Sequence, residues 1–136
     1  MAVKPGARGE LTEGGIAWKQ TRGLPYVPSP LHYRGRVYLV KDGGMLSCFE
    51  AASGRVIYQQ ERLKDAAGSY YASPIAADGR VYVASLTGKI TVLAAGGDAP
   101  KILHQTDLGE RIATTPALVG NAVYVRTASL LYAFGR

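Results

Sequence analysis

The side chains able to carry catalysis or bind a metal are few and scattered. Asp42, Asp65, Asp78, Asp98 and Asp107 fall in or beside turn signals, where a short carboxylate serves the local backbone and solubility. Glu61-Arg62 and Glu110-Arg111 read as solvated charges near connections. His32 and His104 lie far apart, and neither has a Cys or second His at metal-ligand spacing. Ser73, in "ASPIA", lacks the Gly-x-Ser-x-Gly setting of a nucleophile elbow. The lone Cys48 excludes an internal disulfide and reads as a small packed thiol. No catalytic, cofactor or metal residue is therefore assigned. The chemistry that remains is recognition, for which Tyr26, Tyr70, Tyr71 and Arg111 are the candidates, because rigid aromatics and arginine are favoured in binding surfaces.

What positions these residues is a repeat. Pro30, Pro74 and Pro116 are each followed eight residues later by Tyr38, Tyr82 and Tyr124, and the tyrosines stand 44 and 42 residues apart. A period of this size marks a propeller blade or a solenoid unit. In "RVYVAS" and "KITVL" polar and apolar side chains alternate at period two, which is the pattern of half-buried strands and excludes helical repeats.

Turn signals divide each copy into four strands. In the second copy these are "SPIAA", "RVYVAS", "KITVLAA" and "KILHQTDL", separated by Asp78-Gly79, Thr87-Gly88 and Gly96-Gly97. The first copy places Arg34-Gly35, Gly43-Gly44 and Ser53-Gly54 at the same points and ends on "RVIYQQERL". Such pairs tolerate the positive φ of tight hairpins. The third copy stops after its third strand, "LLYAF". The segment "GIAWKQTRG" aligns with the fourth strands, setting Trp18 over Tyr58 and His104. The expectation is an all-β propeller unit: blade one at 29–63, blade two at 73–108, and blade three at 115–136 lacking its outer strand, which residues 15–22 supply. "MAVKPGARGELTEGG" resembles the end of a third strand and the following turn, so the chain is expected to begin in mid-blade.

The pattern "DGRVYVASLTGKITVL", with an aromatic such as Trp18 or Tyr58 late in the fourth strand, resembles the PQQ-like, or quinoprotein alcohol dehydrogenase-like, β-propeller repeat. The family includes bacterial quinoprotein dehydrogenases and the propeller lipoprotein of outer-membrane assembly. "TRGLPYVPSPL", "YYASPIAADGRVYVAS" and "YVRTASLLYAFG" look most like the C-terminal blades of bacterial members. The resemblance implies a fold and leaves function open, because propellers host many activities. A quinone site would need an indole or paired-cysteine platform, oxygen ligands for Ca²⁺ and a base. One Trp in an outermost strand and one Cys do not supply it, so no cofactor is expected.

Composition sets the remaining bounds. Hydrophobic residues make up 47% and charged residues 19%, enough to build a core, and 17 glycines suit many short turns. No apolar run reaches the roughly 18 residues of a membrane span. The N-terminus has no signal-peptide core; as part of a longer exported propeller the chain would be periplasmic or secreted. Net charge is +6, and Arg34, Arg36, Arg55, Arg80, Lys4, Arg8 and Lys101 should share the face carrying the first-to-second and third-to-fourth turns. That face could meet another protein or an acidic surface. Nucleic acid is the least favoured partner, because no aromatics interleave with the basic positions.

Closed propellers use roughly four to eight blades, so three cannot close alone. Two copies would give six, and a homodimer of three-blade halves is the expected assembly. A piece of a quinoprotein-type oxidoreductase, with its active residues in other blades, is the alternative.

Overall fold

The structure is a computed structural model and describes residues 1–135. Its strands, in chain order, are β1 (Ala2–Val3), β2 (Ile16–Trp18), β3 (Leu31–Tyr33), β4 (Arg36–Lys41), β5 (Met45–Glu50), β6 (Val56–Arg62) and β7 (Ile75–Ala77). They continue with β8 (Arg80–Ala84), β9 (Lys89–Ala94), β10 (Ile102–Asp107), β11 (Ala117–Val119), β12 (Ala122–Arg126) and β13 (Leu131–Gly135). One 3-10 turn, Glu13–Gly15, precedes β2. The strands form three antiparallel meanders, β3-β4-β5-β6, β7-β8-β9-β10 and β11-β12-β13, here called sheets one, two and three, plus the pair β1-β2.

The hairpins form where their turn residues permit. Arg34 and Gly35 have φ of 49° and 71°, and Asp78 and Gly79 have 47° and 70°. Two consecutive left-handed residues match the twist of the flanking strands, so both turns are two-residue links.

Alternation then decides what each sheet buries. One face of sheet one, with Tyr38, Val40, Leu46 and Cys48, packs on Val81, Val83 and Leu93 of sheet two. The other face of sheet two, with Ala84 and Ile90, meets Val125 of sheet three and Ile112. The shortest, first strands lie side by side, β3 on β7 and β7 on β11. They are stitched at one repeating position: the Ser29 N–H donates to Ser73 Oγ at 2.9 Å, and the Ser73 N–H donates to Thr115 Oγ1 at 3.0 Å. Sheets that stack face to face and share an inner edge are the geometry of propeller blades.

Segment 15–22 is placed differently from expectation. It does not add to β13; Ile16–Trp18 pairs with β1 instead, Ala2 opposite Trp18. The Lys4 N–H donates to the Gly15 carbonyl at 2.9 Å, repeating the bonds from Glu50 to Arg55 and from Ala94 to Lys101 that close the third-to-fourth turns of sheets one and two. Thus β1 and β2 relate as third and fourth strands, the relation expected for the N-terminal segment. The physical reason is local. The Trp18 indole N–H donates to the Ala51 carbonyl at 2.8 Å and the Gln20 amide to the Gly54 carbonyl at 2.8 Å, anchoring β2 on sheet one, and sheet two intervenes before β13. Among the described residues β13 carries no fourth strand. Arg136, the last residue of the expected third blade, lies outside them.

Candidate interaction site

The loops from each fourth strand to the next first strand gather with the second-to-third turns on one face. Gly43 N–H donates to the Gly68 carbonyl, Leu86 N–H to the Ser69 carbonyl, and Asp42 accepts the Tyr70 N–H at 2.8 Å. Glu110 plays the matching part between sheets two and three. Its carboxylate accepts from Thr127 Oγ1 and Ser129 Oγ, each at 2.6 Å, and from the Ser129 N–H. These bonds hold the Glu110 carboxyl below the usual carboxylate range.

Two glycines make this face possible. At Gly44 a Cβ would stand 2.3 Å from the Ala66 carbonyl, and at Gly88 it would stand 2.5 Å from the Glu110 carbonyl. Both also sit at positive φ, so the returning loops can lie directly on the turns only over glycine.

The four predicted recognition residues separate here. Tyr26 is 91% exposed and Tyr71 41%, and Arg111 is exposed as well. Tyr70 turns inward instead and is 1% exposed. Its hydroxyl donates to the Ala66 carbonyl at 2.7 Å, and burial pushes its pKa up to about 12. The loop "GSYYA" alternates, and the core takes the first tyrosine of the pair. Tyr70 is a packing residue, and it is withdrawn from the candidate surface.

On the opposite face several of the basic side chains have partners. Arg55 pairs with Glu50 at 3.5 Å, Arg80 pairs with Asp78, Arg36 binds the Gly97 carbonyl, and Arg34 lies over the Tyr33 ring, 5.2 Å from its centroid. Arg36 belongs to a clamp that sequence reading did not single out. The Tyr38 hydroxyl accepts the Gly96 N–H at 2.9 Å while Arg36 takes the next carbonyl, so β4 grips the third-to-fourth turn of sheet two. Tyr33 grips the other turn of that sheet, accepting the Gly79 N–H at 3.0 Å. The signal was present: Tyr38 recurs as Tyr82 and Tyr124, and Gly96-Gly97 stands at the turn that Ser53-Gly54 occupies in the first copy. Cys48 stands beside Tyr38 on the neighbouring strand and is fully buried, and burial pushes its thiol up, as expected for a packed, unreactive sulfur.

Between sheets two and three the same grip is open. A cleft of about 600 Å³ is lined by Asp78, Arg80, Tyr82, Asn121, Phe134 and Gly135, among others. Beyond it, the outer face of sheet three exposes apolar side chains, with Val119 at 62% and Leu131 at 69%.

The family described as outer membrane protein assembly factor BamB matches residues 7–129. The chain belongs to this PQQ-like β-propeller family. PQQ-like propellers are also what it is similar to in structure. BamB from Moraxella catarrhalis superposes with a TM-score of 0.67 at 23% identity, over 90% of this chain and 38% of that one. Quinohemoprotein alcohol dehydrogenase ADHIIG from Pseudomonas putida HK5 gives 0.62 at 17%, over 87% and 20%. A europium-containing methanol dehydrogenase gives 0.62 at 17%, over 88% and 24%. The PQQ-like chain here thus spans well under half the length of each. No curated protein matches it. The all-β propeller fold expected from the repeat is confirmed.

Proposed function

We propose that this chain is a non-enzymatic propeller scaffold, a protein-interaction module of three blades, sheets one to three, that completes its ring by self-association. The observation that carries the reading is the uncovered third sheet. Tyr38, Tyr82 and Tyr124 are repeat equivalents, yet Tyr38 is 1% exposed beneath sheet two and Tyr124 is 37% exposed, with no further sheet stacked on its face among the described residues. An exposed apolar sheet face whose edge is unpaired among the described residues marks an interaction surface. In a dimer of three-blade halves, β2 of one copy would leave β1 and pair with β13 of the other. Sedimentation at micromolar concentration tests this, with the full chain and with residues 23–136. A dimer of the full chain that becomes monomeric after the deletion is expected; a stable monomeric full chain overturns self-association, and an unchanged dimer overturns the part of β2.

The alternative is a piece of a quinoprotein-type oxidoreductase. It is favoured by β1-β2 repeating the third-to-fourth relation of a further blade. It predicts an absorbance change of quinone with Ca²⁺ only when further blades carrying the active residues are joined to this chain, whereas the scaffold reading predicts none. Within the scaffold reading, Tyr26, Tyr71 and Arg111 form the partner-facing surface.

A further inference from the structure

We propose that the loop face over the two sheet junctions, where Tyr71, Lys89 and Arg111 lie, docks an acidic segment of a partner polypeptide. The inference rests on the interaction-module reading and gives that partner a chemistry.

Hydrogen bonds sort the charges of this face. Asp107 stands directly opposite Lys89 in the β9-β10 ladder, yet its carboxylate accepts the Gly109 N–H at 2.9 Å. Glu110 precedes Arg111, yet it is held by Thr127 and Ser129 of sheet three. Asp42 likewise accepts the Tyr70 N–H. These carboxylates are turned onto the protein's own donors, and among the described residues Lys89 and Arg111 have no ion-pair partner. The ion pairs that do form, Arg55 with Glu50 and Arg80 with Asp78, lie on the opposite face. Glu61 and Asp65 are exposed at the end of the outermost strand β6 and just after it, beside Arg62 and Lys64, so charge cancels at that outer rim. The unmatched positive charge is at Lys89 and Arg111.

One continuous patch joins these cations to Tyr71. The Leu86 N–H donates to the Ser69 carbonyl at 2.8 Å and the Leu108 N–H to the Gly88 carbonyl at 3.0 Å, so the turn between β8 and β9 touches the loops on both its sides. Lys89 follows that turn directly, and Tyr71 and Arg111 belong to the two loops. Both junctions beneath the patch are packed within the chain. Even so, Tyr71 is 41% exposed, Arg111 is exposed and Lys89 is half-buried. An aromatic beside two unmatched cations fits a segment whose carboxylates flank an apolar side chain. Such a segment brings Lys89 and Arg111 the partners that Asp107 and Glu110 withhold.

A labelled Glu-Glu-Phe-Glu-Glu peptide can be titrated into the full chain, with affinity read by fluorescence anisotropy and location by backbone amide NMR shifts. Saturable binding is expected, with shifts in loops 64–71 and 108–114 and in turn 86–89. It should weaken about fivefold in the Lys89→Gln/Arg111→Gln variant, the loss of two exposed ion pairs, and also in about 1 M salt, where charges act only within about 3 Å. A Gln-Gln-Phe-Gln-Gln peptide should bind wild type about as weakly as the acidic peptide binds the variant. Both altered side chains reach solvent, so an unchanged melting temperature serves as the folding control. Equal binding of the two peptides, equal binding to wild type and variant, shifts confined to the opposite face or to β13, or no saturable binding up to millimolar peptide would overturn the docking surface. Phosphatidylglycerol vesicles that bind wild type and not the variant, where the peptide binds neither, would assign the face to a lipid surface and overturn the polypeptide partner. A chain that sediments as a dimer yet ignores the peptide leaves the scaffold reading standing and removes this inference. A monomer that binds the peptide at these loops keeps the inference and overturns ring closure.

Discussion

The N–H of Ser29 donates to the hydroxyl of Ser73 at 2.9 Å, and Ser73 in turn donates its own N–H to Thr115 at 3.0 Å. One residue thus accepts from the sheet before it and donates to the sheet after it, at the inner strands where the sheets converge. Ser73→Ala removes the acceptor while leaving the donor. It should lower stability by about 0.5–1.5 kcal/mol, read from urea denaturation, and Ser73→Thr should restore most of it. A neutral alanine variant would show that the inner stitching is incidental to sheet stacking.

Gly44 and Gly35 both sit at positive φ, but only Gly44 lies against a carbonyl. Gly35→Ala meets open space and should cost about 1–2 kcal/mol for the left-handed backbone alone. Gly44→Ala adds a clash at 2.3 Å with the Ala66 carbonyl and should cost more than about 3 kcal/mol. Similar losses at the two positions would mean that the loop over Gly44 moves aside at little cost.

Tyr70 should behave oppositely to Tyr26 and Arg111. Tyr70→Ala leaves a cavity in the core between sheets one and two and should lose about 3–5 kcal/mol. Tyr26→Ala and Arg111→Ala should change stability by less than about 0.5 kcal/mol, as exposed substitutions do. Thermal melts of the three variants decide it, and a large loss at Tyr26 would move it from recognition to packing.

Acid should act through Glu110. Its folded pKa is lowered, chiefly by hydrogen bonds from Ser129 and Thr127, while the unfolded carboxylate titrates near the ordinary value of about 4.3. Its contribution is therefore fully present above about 4.3 and is lost as pH falls through the lower folded value. Glu110→Gln should make stability fall less steeply below about pH 4.3. Parallel acid profiles for the two proteins would show that the bonds from sheet three do not favour the charged form.

The sequence by itself determined the repeat, the strands and their turns, because hairpins are set by short-range chemistry. Period-two alternation and residues tolerant of positive φ, such as Asp78-Gly79, specify them without knowledge of the neighbours. It also placed Trp18 as a fourth-strand aromatic, and Trp18 does pack on Gly54, where a Cβ would lie 2.6 Å from the ring. Only the tertiary structure decided which sheet each edge joins and which tyrosine of a pair turns inward. Those choices depend on contacts between residues far apart in the chain. Segment 15–22 carries the pattern of a fourth strand whether it pairs with β1 or β13, and its side-chain bonds to Ala51 and Gly54 decide for sheet one. Tyr70 and Tyr71 are likewise equal in sequence, and Tyr70 goes inside because its hydroxyl finds the Ala66 carbonyl there. Tyr38, Tyr82 and Tyr124 are read alike from their spacing, and how far each is covered among the described residues, Tyr38 fully and Tyr124 least, is fixed by stacking.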